Sequence, residues 1–183
     1  MVSMLAMITS LDFSILLWIQ EHLRCGVLDT ILPFITHLGD KGLCWIVLGI
    51  LLLIPRRTRV WGICVLVCLA VDCLLGEGLL KHLFLRQRPC ILRPIEDMLV
   101  SVPHTTSFPS GHSASSFTAA TALFFNNRRA GIAAYVLAFL IAFSRLYCYV
   151  HFPTDVLGGI LLGICVAIVL TPMLKRRLSH VSN

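Results

Sequence analysis

With 183 residues, 57% of them hydrophobic and 13% charged, and a mean hydropathy of +0.88, the chain falls well short of the ~25% charged residues of a soluble domain. It is read as one integral membrane domain. The net charge of +6 does not point to nucleic acid, because the basic residues stand in short clusters beside apolar runs, as membrane topology requires.

Residues 1–20 are apolar, interrupted by Ser10, Asp12 and Ser14, and Glu21, His22 and Arg24 follow. This is either a membrane span or an interfacial amphipathic helix. A cleavable signal peptide is not expected, because no basic residue precedes Leu5 and no small-x-small site follows the apolar run. From Gly26 to Leu38 the apolar residues Val27, Leu28, Ile31, Leu32, Ile35 and Leu38 recur at helical spacing, which predicts an amphipathic helix near the surface. Gly39-Asp40-Lys41-Gly42 reads as a turn. The apolar run 43–54 is short for a span, so the span is expected to begin nearer Gly39. The next span, 61–80, carries Asp72 and Glu77, and no role for Asp72 is readable. A long polar loop then runs to His112. Residues 113–125 form a helix whose alanines permit close packing. Spans at 130–150 and 156–174 complete the fold, and a short polar tail is expected from 175 onward. Gly159 and Gly163 form a G-x-x-x-G step that is expected to pack the last helix inside the fold.

The expected architecture is all-α: a bundle of five or six transmembrane helices in a single domain over 1–183. Within it, 1–38 holds the N-terminal spanning or interfacial helices, 39–174 the catalytic helical core and 175–183 a cytoplasmic tail. Arg56/Arg57/Arg59, Arg128/Arg129 and Lys175/Arg176/Arg177 fall at alternate turns, so that side is expected to be cytoplasmic. The polar loop is then extracytoplasmic. The eight cysteines contain no C-x2-C pair and predict no zinc site. Most lie in apolar runs as small hydrophobes, and Cys25 and Cys90 are expected to be the most exposed.

Three polar blocks carry the chemistry: Lys81-His-Leu-Phe-Leu-Arg-Gln-Arg88-Pro89, Pro109-Ser110-Gly111-His112, and Ser144-Arg145 through His151 to Asp155. They supply three fixed cations, two histidines, one carboxylate and a Ser-Gly step with backbone N–H groups. That set suits a phosphate, whose oxygens cations and N–H donors hold and at which histidines attack or exchange protons. Asp155, four residues after His151 at a helix start, can hold the His151 Nδ1–H and leave Nε2 free as a nucleophile. Lys-x6-Arg-Pro, Pro-Ser-Gly-His and Ser-Arg-x5-His-x3-Asp together resemble the signature of the type-2 phosphatidic acid phosphatase superfamily, which includes the vanadium haloperoxidases. The resemblance implies that His151 forms a phosphohistidine, with Asp155 as its partner. It implies that His112 is general acid and then base, and that Lys81, Arg88, Arg145 and the Ser110-Gly111 amides hold phosphate oxygens. Glu77, one turn before Lys81, is read as holding that lysine in place. Arg86 and His82, outside the signature, are read as solvated or headgroup-facing.

The implied reaction is metal-independent hydrolysis of a lipid phosphate or diphosphate in the cell membrane, with no cofactor and no nucleic acid. Small bacterial members with this layout point to a polyprenyl diphosphate such as undecaprenyl diphosphate. Phosphatidylglycerol phosphate and phosphatidic acid are the alternatives. A phosphotransferase, a vanadate-dependent peroxidase and a lipid-phosphate binding or transport protein are the readings of other classes. Oligomeric state is not legible.

Overall fold

The computed structural model describes residues 2–181, and residues 182–183 of the expected tail lie outside them. The described residues are all-helical, without a strand. In chain order the elements are α1 (Val2–His22), α2 (Gly26–Leu38), α3 (Leu43–Leu53), α4 (Arg59–Cys73), the short α5 (Lys81–Phe84) and α6 (Pro89–Leu92), α7 (Gly111–Asn126), α8 (Arg128–Tyr147) and α9 (Pro153–Val181). Among the described residues, three stretches are long and apolar enough to cross a membrane: Arg59–Leu92, Arg128–Tyr147 and Pro153–Leu178. A fourth is added if α2 and the following Asp40–Leu53, bent at 43°, form one broken span. The protein is therefore a multi-pass membrane protein, with three to four spans by this measure where the sequence suggests five or six.

The bundle is built around α7, which packs against α9, α8 and α4. At 16 residues it is shorter than a full span, and small side chains let its neighbours close in: Ala119, Ala120 and Ala122 are fully buried. The glycines of α9 match them. A Cβ on Gly159 would meet the Ser110 carbonyl oxygen and one on Gly163 the Ala114 carbonyl oxygen, so the G-x-x-x-G step seats α9 directly on the backbone of α7. Trp45 of α3 closes the layer and donates its indole N–H to Ser116 Oγ at 3.0 Å.

Two local irregularities aim polar groups at one end of the bundle. Between α4 and α5 the chain runs as a π-helix over Leu74–Leu80, whose wider turn changes the register between Asp72 and Lys81. At the end of α8, Tyr149 adopts a left-handed φ of 58°. Its N–H reaches the Leu146 carbonyl and that of Val150 the Arg145 carbonyl, the hydrogen-bond pair of a Schellman cap usually closed by glycine. Here the fully buried Tyr149 ring holds the turn, which reverses the chain and presents His151. At the opposite end Lys175 donates to the Phe125 carbonyl at 2.7 Å, so the end of α7 is tied to α9 beside the basic residues.

Two sequence expectations change. The last helix does not stop at residue 174 but continues to Val181. Cys90 is buried, whereas Cys25, Cys73 and Cys165 are the exposed thiols, and all eight cysteines are free. Asp12, in the segment read as either spanning or interfacial, is buried inside the fold.

Candidate active site

The motif blocks meet at one cavity of about 870 Å³. Lys81, Arg88, His112, Arg145 and His151 line its polar end, and Ile46, Leu66, Leu69 and Ala70 line an apolar limb between α3 and α4.

Each cation is fixed by neighbours. Lys81 Nζ lies 2.7 Å from Glu77 Oε1 and 3.3 Å from Thr105 Oγ1. Arg88 is buried and donates Nε–H to the Thr105 carbonyl at 2.7 Å and one terminal N–H to the Val150 carbonyl at 2.8 Å. Arg145 donates to Thr36 Oγ1 at 2.6 Å, and its Nε–H has no partner in the protein. Arg88 and Arg145, two buried cations without a matching carboxylate, would be costly unless an anion completes them. Glu77 is half-exposed and answers only Lys81.

His151 is 1% exposed. Its Nε2 faces an Arg88 N–H at 3.0 Å. A guanidinium only donates, so Nε2 carries the lone pair and the proton sits on Nδ1. Nδ1 lies 3.6 Å from Asp155 Oδ2, an ion-pair distance rather than a hydrogen bond. Burial holds the imidazole well below its ordinary range. The Asp155 carboxylate opposes that shift, and Arg88 and Arg145 reinforce it.

Asp155 is fully buried and more heavily engaged than the sequence suggests. It accepts from the Phe152 N–H at 2.9 Å, from Arg86 at 2.7 Å and, at close range, from Ser107 Oγ–H. Arg86 corrects its reading as a solvated or headgroup-facing residue. One N–H pairs with Asp155, another with Asp12 Oδ2 at 2.7 Å, and the guanidinium lies over the Phe152 ring at 4.1 Å. Asp12 in turn accepts from the Thr154 N–H and hydroxyl. The N-terminal helix is thus clasped to the start of α9.

His112 opens α7 and gives its Nε2–H to Asp40 Oδ1 at 2.9 Å. Ser110 departs from its expected role. Its amide is taken by the Asp155 carbonyl at 3.0 Å, and its buried hydroxyl caps α7 by accepting from Ser113. The amides directed to the cavity are therefore those of Gly111 and His112, which begin the helix and carry its positive dipole end. A Cβ on Gly111 would lie 2.6 Å from Glu77 Oε1, so a side chain there would displace the carboxylate that holds Lys81. His82, outside the cavity lining, is exposed. Among the described residues no group of three or more His, Cys, Asp or Glu side chains is placed to hold a metal ion.

Asp40, Asp12, Ser107 and Thr105 escape the sequence reading. For Asp12 a signal existed, since an acid in an apolar helix asks for a partner. Asp40 sits in a glycine-flanked turn and gives none.

The description "PAP2 superfamily" belongs to the family model that matches residues 59–179. A decaprenylphosphoryl-5-phosphoribose phosphatase of Mycobacterium tuberculosis is 33% identical over 161 residues, covering 83% of this chain and 84% of its own. An undecaprenyl-diphosphatase of Sulfolobus acidocaldarius is 32% identical over 141 residues, covering 76% of this chain and 68% of its own. Among solved structures, the transmembrane PAP2-type phosphatidylglycerolphosphate phosphatase of Bacillus subtilis superposes with a TM-score of 0.76 at 30% identity, covering 92% of this chain and 87% of its own.

Proposed function

The chain belongs to the PAP2 superfamily and is a membrane lipid phosphatase, and from that premise we propose that it hydrolyses polyprenyl diphosphates, undecaprenyl diphosphate foremost, through a phosphohistidine on the extracytoplasmic face. The observation that carries this reading is the single cavity in which two histidines and three buried cations meet an apolar limb. The transferred phosphoryl group enters between Lys81, Arg88 and Arg145, with the Gly111 and His112 amides. Its oxygens draw the Arg88 N–H away from His151 Nε2. The freed lone pair attacks phosphorus as the bond to the leaving oxygen breaks, and His112 gives that oxygen a proton. Water then adds to phosphorus, its proton returns to His112, and the N–P bond breaks. Charge stabilisation by the fixed cations supplies most of the acceleration.

The apolar limb suits a lipid tail entering from the bilayer between α3 and α4. Relatives named for undecaprenyl diphosphate and decaprenylphosphoryl substrates favour an isoprenoid chain. The Bacillus subtilis structure supports phosphatidylglycerol phosphate as the second reading. The test is kcat/KM in mixed micelles for a polyprenyl diphosphate, phosphatidylglycerol phosphate and phosphatidic acid. A polyprenyl diphosphate is expected to lead. A glycerophospholipid turned over about tenfold better, ~1.4 kcal/mol in transition-state stabilisation, would overturn the substrate and leave the reaction class standing.

A further inference from the structure

Two imidazoles face the phosphate end of the cavity, and each has a carboxylate behind it. Asp155 stands behind His151 and belongs to the same sequence block. The carboxylate behind His112 comes from elsewhere, from the turn between α2 and α3. Asp40 Oδ1 lies 2.9 Å from His112 Nε2, and its other oxygen, Oδ2, lies 2.9 Å from His37 Nδ1. The turn that delivers it is unusual, since Lys41 and Gly42 both take left-handed φ, 53° and 67°. A Cβ on Gly39 would sit 2.7 Å from His112 Cδ2. The turn is therefore folded tightly onto the edge of the imidazole that carries Nε2.

Charge makes this contact consequential. Arg88 and Arg145 line the cavity with His112, and two fixed cations disfavour a third positive charge beside them. Of the other carboxylates lining the cavity, Glu77 is spent on Lys81, and Asp72, on α4, makes no contact with His112. His37 is exposed at 64% and shares Asp40 from the solvent side. Asp40 is thus the carboxylate placed to stabilise an imidazolium at His112. With Nε2–H held by Asp40, the mobile proton is the one on Nδ1.

We propose that Asp40 is the positioning residue for the proton-transfer step, fixing His112 by its Nε2–H so that Nδ1 gives a proton to the leaving oxygen and takes one back from water. This rests on His112 as general acid, and the two claims separate experimentally through the leaving group. An alkoxide needs the proton as the P–O bond breaks, whereas 4-nitrophenolate departs without it. In purified full-length protein, Asp40→Asn keeps the size of the side chain, and the residue is half-exposed, so folding is preserved. It is expected to lower kcat/KM, which reports the steps up to leaving-group departure and not the shared hydrolysis of the phosphohistidine, by about 10- to 100-fold on a long-chain alkyl phosphate, a part of the ~10²–10⁴-fold that general-acid catalysis contributes. On 4-nitrophenyl phosphate the loss in kcat/KM should stay within about threefold. His112→Ala should show the same split more strongly. If Asp40→Asn leaves both substrates at wild-type rates, or slows both equally, Asp40 does not act through proton transfer and the proposal falls, with the role of His112 untouched. If His112→Ala itself shows no split, the general-acid reading fails and the positioning proposal fails with it.

Discussion

In the proposed reaction His151 is the nucleophile, and its surroundings predict its pH behaviour. Burial and the neighbouring guanidiniums favour the neutral ring, so the nucleophilic form persists as pH falls. The acid limb of kcat/KM is expected below the ordinary histidine value of ~6.5. A limb at or above it would show that His151 is more solvated than the fold makes it. His151→Ala should abolish turnover while thermal unfolding in detergent stays within a few degrees of wild type. Near-wild-type rates in that variant would remove the phosphohistidine from the mechanism. Arg86 carries a second prediction. It stands between Asp12 and Asp155, which are 2% and 0% exposed. Arg86→Ala strands two buried carboxylates, a loss on the order of 3–5 kcal/mol, and should lower the melting temperature and kcat together. Arg86→Met with unchanged stability would show that the clasp contributes nothing. That Lys81, Arg88, His112, Arg145 and His151 meet at one cavity was legible in the sequence, because the signature they resemble fixes their intervals. Asp12, Arg86 and Asp40 were not, because what matters about them is a partner on another element.

At the level of the element, α7 and α9 carry opposite halves of the site, His112 on one and Asp155 on the other. Their separation is set by backbone contact at Gly159 and Gly163. Gly159→Leu must push α9 away from the Ser110 carbonyl, at a cost of roughly 1–3 kcal/mol for overpacking, and should depress kcat beyond what the loss of stability explains. Gly26→Ala, where no atom lies within 4 Å of the new Cβ, is the matched control and should be silent in both assays. A kinetically normal Gly159→Leu would mean that the two helices adjust independently of the site. The small-residue character of both helices was readable from the chain. The π-helical stretch Leu74–Leu80 was not, because an apolar run carries no mark of the turn it adopts. Nor was the extension of α9 to Val181, since basic residues at a membrane edge look the same whether the helix ends or continues.

For the whole molecule, the basic clusters at one end and the cavity at the other predict the orientation. Glu96 and Arg128 are both exposed; of the exposed native thiols Cys25, Cys73 and Cys165, Cys25 lies outside the three membrane-spanning stretches and is to be replaced by serine. Glu96→Cys in intact cells should then react with a membrane-impermeant thiol reagent, and Arg128→Cys should not. The reverse pattern would place the site on the cytoplasmic face. Hydropathy made the membrane class legible, but the number of spans was not, since α2 and α3 bend and α7 is short. The clasp of Asp12 and Arg86 on Asp155 also bears on how the protein comes into being. It joins a residue of the first helix to one that opens the last. A ribosome must therefore deliver nearly the whole chain to the membrane before the carboxylate behind His151 is fully held.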